Sequence, residues 1–162
     1  MEKSSNPINC DDEILAKFKI FADLSHEELT TLIGQSTITH PVAGEKIIRA
    51  GDSGHSMYVI LKGSVQVTAP SENEEIDLAT LYPGDFFGEV ALVDDGPRSA
   101  NVTALEDCEL LGITRMTLGI LAGLQPGAAI QILAAIGRSL VARVRTGNQK
   151  YMDLILLGRQ IS

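Results

Sequence analysis

Two hydrophobic periods divide this 162-residue chain. From Ser36 to Thr114, short β-branched runs alternate with glycine-bearing turns; beyond Thr114, apolar residues return every three or four positions. The runs are Thr37–Thr39, Lys46–Arg49, Met57–Leu61, Ser64–Ala69, Ile76–Leu81, Ser99–Ala104 and Glu109–Ile113. The breaks fall at Pro41 to Gly44, Gly51 to Gly54, Lys62-Gly63, Ser71 to Glu74 and Pro83-Gly84-Asp85. Strands so short and numerous, without a βαβ rhythm, predict an antiparallel sandwich or barrel of the jelly-roll type. After them Leu133, Ile136, Leu140, Val144, Tyr151 and Leu154 predict a long amphipathic helix with Pro126 near its first turn. Gly137 and Gly147 each cost about 1 kcal/mol of helix propensity relative to Ala. A kink, a stop before residues 147–162, or the close approach of a second helix all fit them.

Upstream, Ser25 reads as an N-cap with Glu28 as its capping-box partner, and Leu29, Leu32 and Ile33 give the helix an apolar face. Ile14, Leu15, Phe18 and Phe21 suggest a short helix before it. The expected architecture is mainly β with flanking helices: a helical segment 1–35, a jelly-roll β-barrel 36–114 and C-terminal helices 115–162. At this length the whole chain, 1–162, is expected to form a single domain.

Met116 to Gly137 carries no charge and approaches membrane-spanning length. Gln125-Pro126-Gly127 interrupts it, so a buried helix-to-helix turn is expected rather than a membrane span. Nothing at Met1 to Asn9 resembles an export signal. Cys10 and Cys108 have neither metal-type nor redox-type spacing, which suits a reducing cytoplasm.

A formal charge of −8 opposes simple polyanion binding, and the charge is unevenly placed. Residues 1–113 hold 20 acids against 7 Lys and Arg, whereas 114–162 hold Asp153 alone against 6. The scattered basic positions of the tail read as a solvated helix face in preference to a contact for DNA, an anionic membrane or an acidic partner.

Chemistry concentrates between Gly84 and Val102. Gly88 leaves room for the backbone, Glu89 to Leu92 can make one helical turn, and amide groups at its start would face an anion. Arg98, beyond an acidic loop, can hold a phosphate bidentately. Glu89 can accept hydrogen bonds from a sugar hydroxyl pair. On these residues alone, a plain Glu89–Arg98 ion pair across the turn is the preferred reading.

Phe87-Gly88-Glu89-Val90-Ala91-Leu92 followed by Pro97-Arg98-Ser99-Ala100-Asn101-Val102 resembles the phosphate-binding cassette of the cyclic-nucleotide-binding domain family. The resemblance continues through Gly44-Glu45, Gly51-Asp52, Tyr58-Val59-Ile60, Gly63-Ser64-Val65 and Pro83-Gly84-Asp85, where that family's jelly roll turns. It implies that Glu89 accepts from a ribose 2′-hydroxyl and that Arg98 pairs with the cyclic phosphate. Amides of Gly88, Val90, Ala91 and Ser99 would help hold both, beside Ala100. Val67, Leu78, Ala79 and Phe87 would line the purine and sugar. Ser99 in place of Thr inclines the reading to cyclic AMP over cyclic GMP, and by strand alternation Asn101 is expected on the same face.

The final helix resembles the dimerising helix of the catabolite-activator family, which implies a homodimer. It places Arg143 and Val144 against the base, although Arg143 as a plain solvent-facing charge is an equal alternative. The expected function is a cytoplasmic sensor that binds a cyclic purine mononucleotide without catalysis and signals through that helix, with an effector protein as a further partner. No cofactor or metal is expected, and since the sequence stops at Ser162 no DNA-reading module is expected either. The alternatives are a ligand-free adaptor or dimerisation module and, least favoured, a jelly-roll enzyme, since His26, His40 and His55 lack paired metal-ligand spacing.

Overall fold

The structure, a computed structural model, describes residues 12–161, so Cys10 lies outside the described residues. A one-turn helix α1 (Asp12–Leu15) and a 3-10 turn (Lys19–Phe21) lead to α2 (His26–Gln35). The expected capping box closes α2: the Glu28 amide donates to Ser25 Oγ at 3.1 Å, and the Ser25 amide to Glu28 Oε1 at 2.9 Å.

Eight strands follow: β1 (Thr37–Thr39), β2 (Lys46–Ile48), β3 (Ser56–Lys62), β4 (Val65–Pro70), β5 (Glu75–Leu81), β6 (Phe86–Phe87), β7 (Asn101–Ala104) and β8 (Glu109–Thr114). They form two antiparallel four-stranded sheets, ordered β1-β8-β3-β6 and β2-β7-β4-β5. Each of the seven predicted runs overlaps one strand; the two-residue β6 is the eighth, pairing Phe87 with Tyr58 and Phe86 with Val59.

The first sheet is buried on both faces. Alternation along β3 sends Met57, Val59 and Leu61 toward the helices, with Leu111 and Ile113 of β8. The opposite face sends Ile60 and Leu110 between the sheets, against Ile48, Val65, Phe87 and Val102. A strand packed on both sides needs apolar residues at consecutive positions, which explains the unbroken run Met57 to Leu61.

At Thr114 the hydroxyl accepts from the Thr117 amide and caps α3 (Arg115–Leu124); α4 (Pro126–Ile161) then runs as one continuous helix. Neither Gly137 nor Gly147 interrupts it, and a Cβ on either would meet nothing within 4 Å. No second helix of this chain therefore crowds them. The expectation of burial across 116–137 holds on one face only. Leu121, Ala128, Ala129, Ile132, Ala135 and Ile136 are buried, whereas Met116, Leu124 and Ile130 are exposed. By length and composition alone α4 is apolar enough to cross a bilayer, but its first half packs into the protein core.

Candidate functional site

A cavity of about 820 Å³ opens between the second sheet, the 88–100 segment and α4. Its sheet wall follows from register. Val67 sits opposite Ala79 on β5 and Val102 on β7, so all three present one face, joined by Leu78, Leu81, Ile48 and Phe87. Phe87 stacks on Tyr58 with ring centroids 5.4 Å apart, which fixes the point where the cassette leaves the sheet.

At Gly88 the chain turns with φ of +76°, a left-handed conformation that costs a residue with a Cβ about 1–2 kcal/mol. The 3-10 turn Glu89–Leu92 starts there, and the Ala91 amide donates back to the Gly88 carbonyl at 3.2 Å. The Ala91 amide, expected to face an anion, is therefore already bonded.

The turn buries Glu89 to 1% exposure. Its Oε1 accepts no hydrogen bond of good geometry, yet the Arg143 guanidinium on α4 lies in ion-pair contact with it. A buried carboxylate short of donors is costly, so Glu89 is the polar group with most to gain from a further donor.

Arg98 does not pair with Glu89. Its backbone is clasped by the Gly51-Asp52 turn, its amide donating to Asp52 O and its carbonyl accepting from the Gly51 amide, both at 2.8 Å. Its Nη1 donates to Gly88 O at 3.0 Å and its Nη2 to Ser56 O at 2.7 Å. A Cβ on Gly54 would stand 2.6 Å from Nε and Nη2, so the guanidinium lies flat on bare backbone. Burial pulls its pKa below the ordinary value, opposed by nearby Tyr58 and Glu89; an arginine stays protonated regardless. Two of its five N–H groups are used, leaving donors for an anion in the cavity.

Buried carboxylate, half-buried guanidinium and apolar wall thus converge on one space from separate elements. The described sequence matches the profile of the "Cyclic nucleotide-binding domain" over residues 40–122. The chain belongs to the cyclic nucleotide-binding domain family. It is 29% identical over 146 residues to the "CRP-like cAMP-activated global transcriptional regulator" of Mycobacterium tuberculosis, covering 89% of this chain and 63% of that protein. Against the "cGMP-dependent protein kinase, isozyme 1" of Drosophila melanogaster it is 35% identical over 108 residues, 65% of this chain and 14% of the kinase. The crystal structure of the Thermus thermophilus catabolite activator protein superposes with a TM-score of 0.75 at 30% identity, covering 85% of this chain and 62% of that one. The chain thus spans less than two thirds of the length of these relatives.

Within this cyclic nucleotide-binding domain, the residues singled out from sequence converge with two exceptions. Gly88, Glu89, Val90, Ala91, Arg98, Ser99, Ala100, Phe87, Val67, Leu78, Ala79 and Arg143 all line the cavity. Val144 does not: it is 62% exposed on the next face of α4. On α4 the residues that line the cavity form one stripe, and Val144, about 100° on from Arg143, falls outside it. Asn101 also points elsewhere. Strand β7 begins at Asn101, so alternation does not reach back to Ser99; its Oδ1 accepts from the Ala50 amide at 2.8 Å and its Nδ2 donates to Glu75 Oε1 at 3.0 Å. Arg143 is not a plain solvent-facing charge, since its guanidinium engages Glu89.

Sequence reading missed Ser139, Ala142, Thr146, Gly147 and Lys150, which line the cavity from α4. For all but Ala142, the spacing of three, four or seven residues from Arg143 was the available signal. It also missed Arg115, which donates from Nε to Ala91 O and from Nη2 to Asp94 O, both at 2.7 Å, and contacts Asp95. Arg115 thereby ties the acidic loop of the cassette to the start of α3.

Proposed function

We propose that this single domain is a cytoplasmic, non-catalytic sensor that binds a cyclic purine mononucleotide in the 820 Å³ cavity, with cyclic AMP preferred over cyclic GMP. The observation that carries the reading is Glu89: 1% exposed and facing the cavity, its Oε1 touches the Arg143 guanidinium yet has no hydrogen-bond donor of good geometry. A ribose 2′-hydroxyl supplies that donor, and the phosphate takes the free N–H groups of Arg98, with Ser99 and the Gly88 and Val90 amides beside it. Val67, Leu78, Ala79 and Phe87 take the sugar and purine, and α4 closes the far side through Arg143. Ser99 rather than Thr supports the adenine form. The relatives' names divide, one being cAMP-activated and another cGMP-dependent. The buried free thiol of Cys108 suits a reducing compartment.

Ligand is read out through α4. Nucleotide entering beside Glu89 takes over the carboxylate from Arg143 and alters how α4 sits on the cavity, a coupling between pocket and helix. Ile130, Leu133, Val144, Tyr151 and Leu154 are exposed apolar residues that fall on the a and d positions of one heptad register along α4, which supports a homodimer through this helix. Sedimentation velocity tests that: a monomer at tens of micromolar, with and without nucleotide, removes the dimer.

A second reading, an adaptor that has lost its ligand, draws on the same contact, because Arg143 already partly satisfies Glu89. Calorimetry with cyclic AMP, cyclic GMP and linear AMP separates the two. The sensor binds the cyclic compounds and loses them by at least roughly a hundredfold in Arg98→Glu with the fold retained, the scale expected for a charge-assisted bidentate contact turned repulsive. Silence from all three nucleotides establishes the adaptor.

A further inference from the structure

A second cavity, of about 740 Å³, lies between the N-terminal helical segment, the Pro83 to Phe86 turn and α4. It shares Leu81, Ser139, Ala142 and Arg143 with the first, so one stretch of α4 forms a wall of both. Its apolar surface comes from residues such as Phe18, Ile20 and Phe86. Lys17, Lys19, Arg138 and Arg143 bring it four cations against one carboxylate, Asp85, whose Oδ2 already accepts from the Tyr82 amide at 2.9 Å.

Arg143 is held by the buried Glu89, but the other three cations are poorly compensated. Arg138 approaches Asp23 at 3.8 Å with both side chains 62% exposed, a pair that water largely screens. Among the described residues neither Lys17 nor Lys19 forms an ion pair. Residues 1–113 are so acidic that their other lysines beyond residue 40, Lys46 and Lys62, both face glutamates. A cavity that gathers like charges around an apolar surface lowers its electrostatic energy by taking up an anion.

We propose that this second cavity binds a small organic anion with an apolar body and a phosphate or carboxylate head. Its volume falls within the range of about 300–1,000 Å³ typical of small-molecule sites. Because Arg143 lines both cavities, an anion in the second competes with Glu89 for its guanidinium and leaves the carboxylate open to the ribose hydroxyl. Occupancy of the second cavity therefore strengthens nucleotide binding in the first; this coupling rests on the function proposed above.

The test uses the full chain carrying Arg98→Glu, which disables the phosphate position of the first cavity, titrated calorimetrically with 1-naphthyl phosphate, 1-naphthoate and inorganic phosphate. One of the two naphthyl compounds binds, and identifies the head, while inorganic phosphate binds at least roughly tenfold more weakly because it lacks the apolar body. Adding Lys17→Glu and Lys19→Glu, both at exposed positions, weakens the naphthyl anion at least tenfold. No naphthyl binding, binding indifferent to the lysine changes, or inorganic phosphate binding equally well overturns the site. On the native protein, the bound naphthyl anion raises cyclic AMP affinity about threefold or more, and an unchanged or reduced affinity overturns the coupling. Failure of cyclic AMP to bind at all defeats the coupling and the proposed function together, whereas the Arg98→Glu titrations judge the anion site alone.

Discussion

Arg143, half-exposed on α4, holds its guanidinium against the carboxylate of Glu89, which is buried in the 3-10 turn of the cassette. The contact joins the helix to the wall of the cavity formed by the barrel.

Arg143→Ala is expected to leave Glu89 without its cation. Removing one partner of a fully buried pair costs about 3–5 kcal/mol, but this arginine is half in water, so about 1–2 kcal/mol is the scale expected here. Thermal denaturation with and without cyclic AMP checks it. The variant melts earlier when empty, and saturating nucleotide raises its melting temperature by more than it raises that of the native protein.

Gly88→Ala and Gly44→Ala form a matched pair. Both positions have positive φ, +76° and +86°, so each variant is expected to lose about 1–2 kcal/mol to backbone strain. At Gly44 a Cβ meets nothing within 4 Å, whereas at Gly88 it stands 2.9 Å from Arg98 Nη1 and 3.1 Å from Ser56 O. Nucleotide affinity should therefore fall at least roughly tenfold in Gly88→Ala, through displacement of the charge-assisted arginine contact, and stay within error in Gly44→Ala. Equal affinities in the two variants would show that Arg98 is not held by its glycine bed.

Asn101→Ala is expected to destabilise without touching binding. It strips the Ala50 amide of its acceptor and Glu75 of a donor, a loss of about 1–3 kcal/mol for an unmet buried group. Chemical denaturation and calorimetry on the same variant separate the two effects, and a large drop in nucleotide affinity would return Asn101 to the site. Lys46, Asn101 and Thr68 all donate to Glu75 and hold its pKa below the ordinary carboxylate value, the Lys46 hydrogen bond most strongly. That contribution to stability is present above the unfolded value of about 4.3 and is lost as pH falls through the lower folded value.

Burial, the largest influence, lifts the Cys108 thiol above its ordinary pKa, and its Sγ donates to the carbonyls of Ser64 and Glu106 at 3.4 and 3.2 Å. The folded chain keeps a proton that the unfolded chain releases. The associated stability is complete below the unfolded value of about 8.5 and drains away as pH climbs through the folded value. In Cys10→Ser protein, iodoacetamide should label Cys108 at least roughly tenfold more slowly when native than in urea. Native labelling as fast as the unfolded rate would place the thiol at the surface.

The strand positions were legible because β-branched runs and glycine turns act locally, and the cap at Ser25 because its partner is three residues away. Arg98 and Glu89 were legible as chemistry but not as geometry. Nothing in their spacing said that the arginine spends two N–H groups on Gly88 and Ser56, or that the glutamate turns to α4. Those outcomes depend on where a distant helix crosses the sheet. Val144 was misplaced by one residue because a helical target needs its rotational phase as well as its height. Asn101 was misassigned because its strand starts two residues later than the β-branched run suggested.

The continuity of α4 has a mechanical consequence. Its root, from Ala128 to Ile136, is gripped by the core, while the helix continues past Gly137 for some two dozen residues, or about 36 Å at 1.5 Å per residue, lining the cavity as far as Lys150. A tilt of about 10° at the root swings the tip by about 6 Å on that arm. Under the read-out proposed above, the loss of one guanidinium contact near the fulcrum would be magnified at the distal end into a movement large enough for another macromolecule to sense.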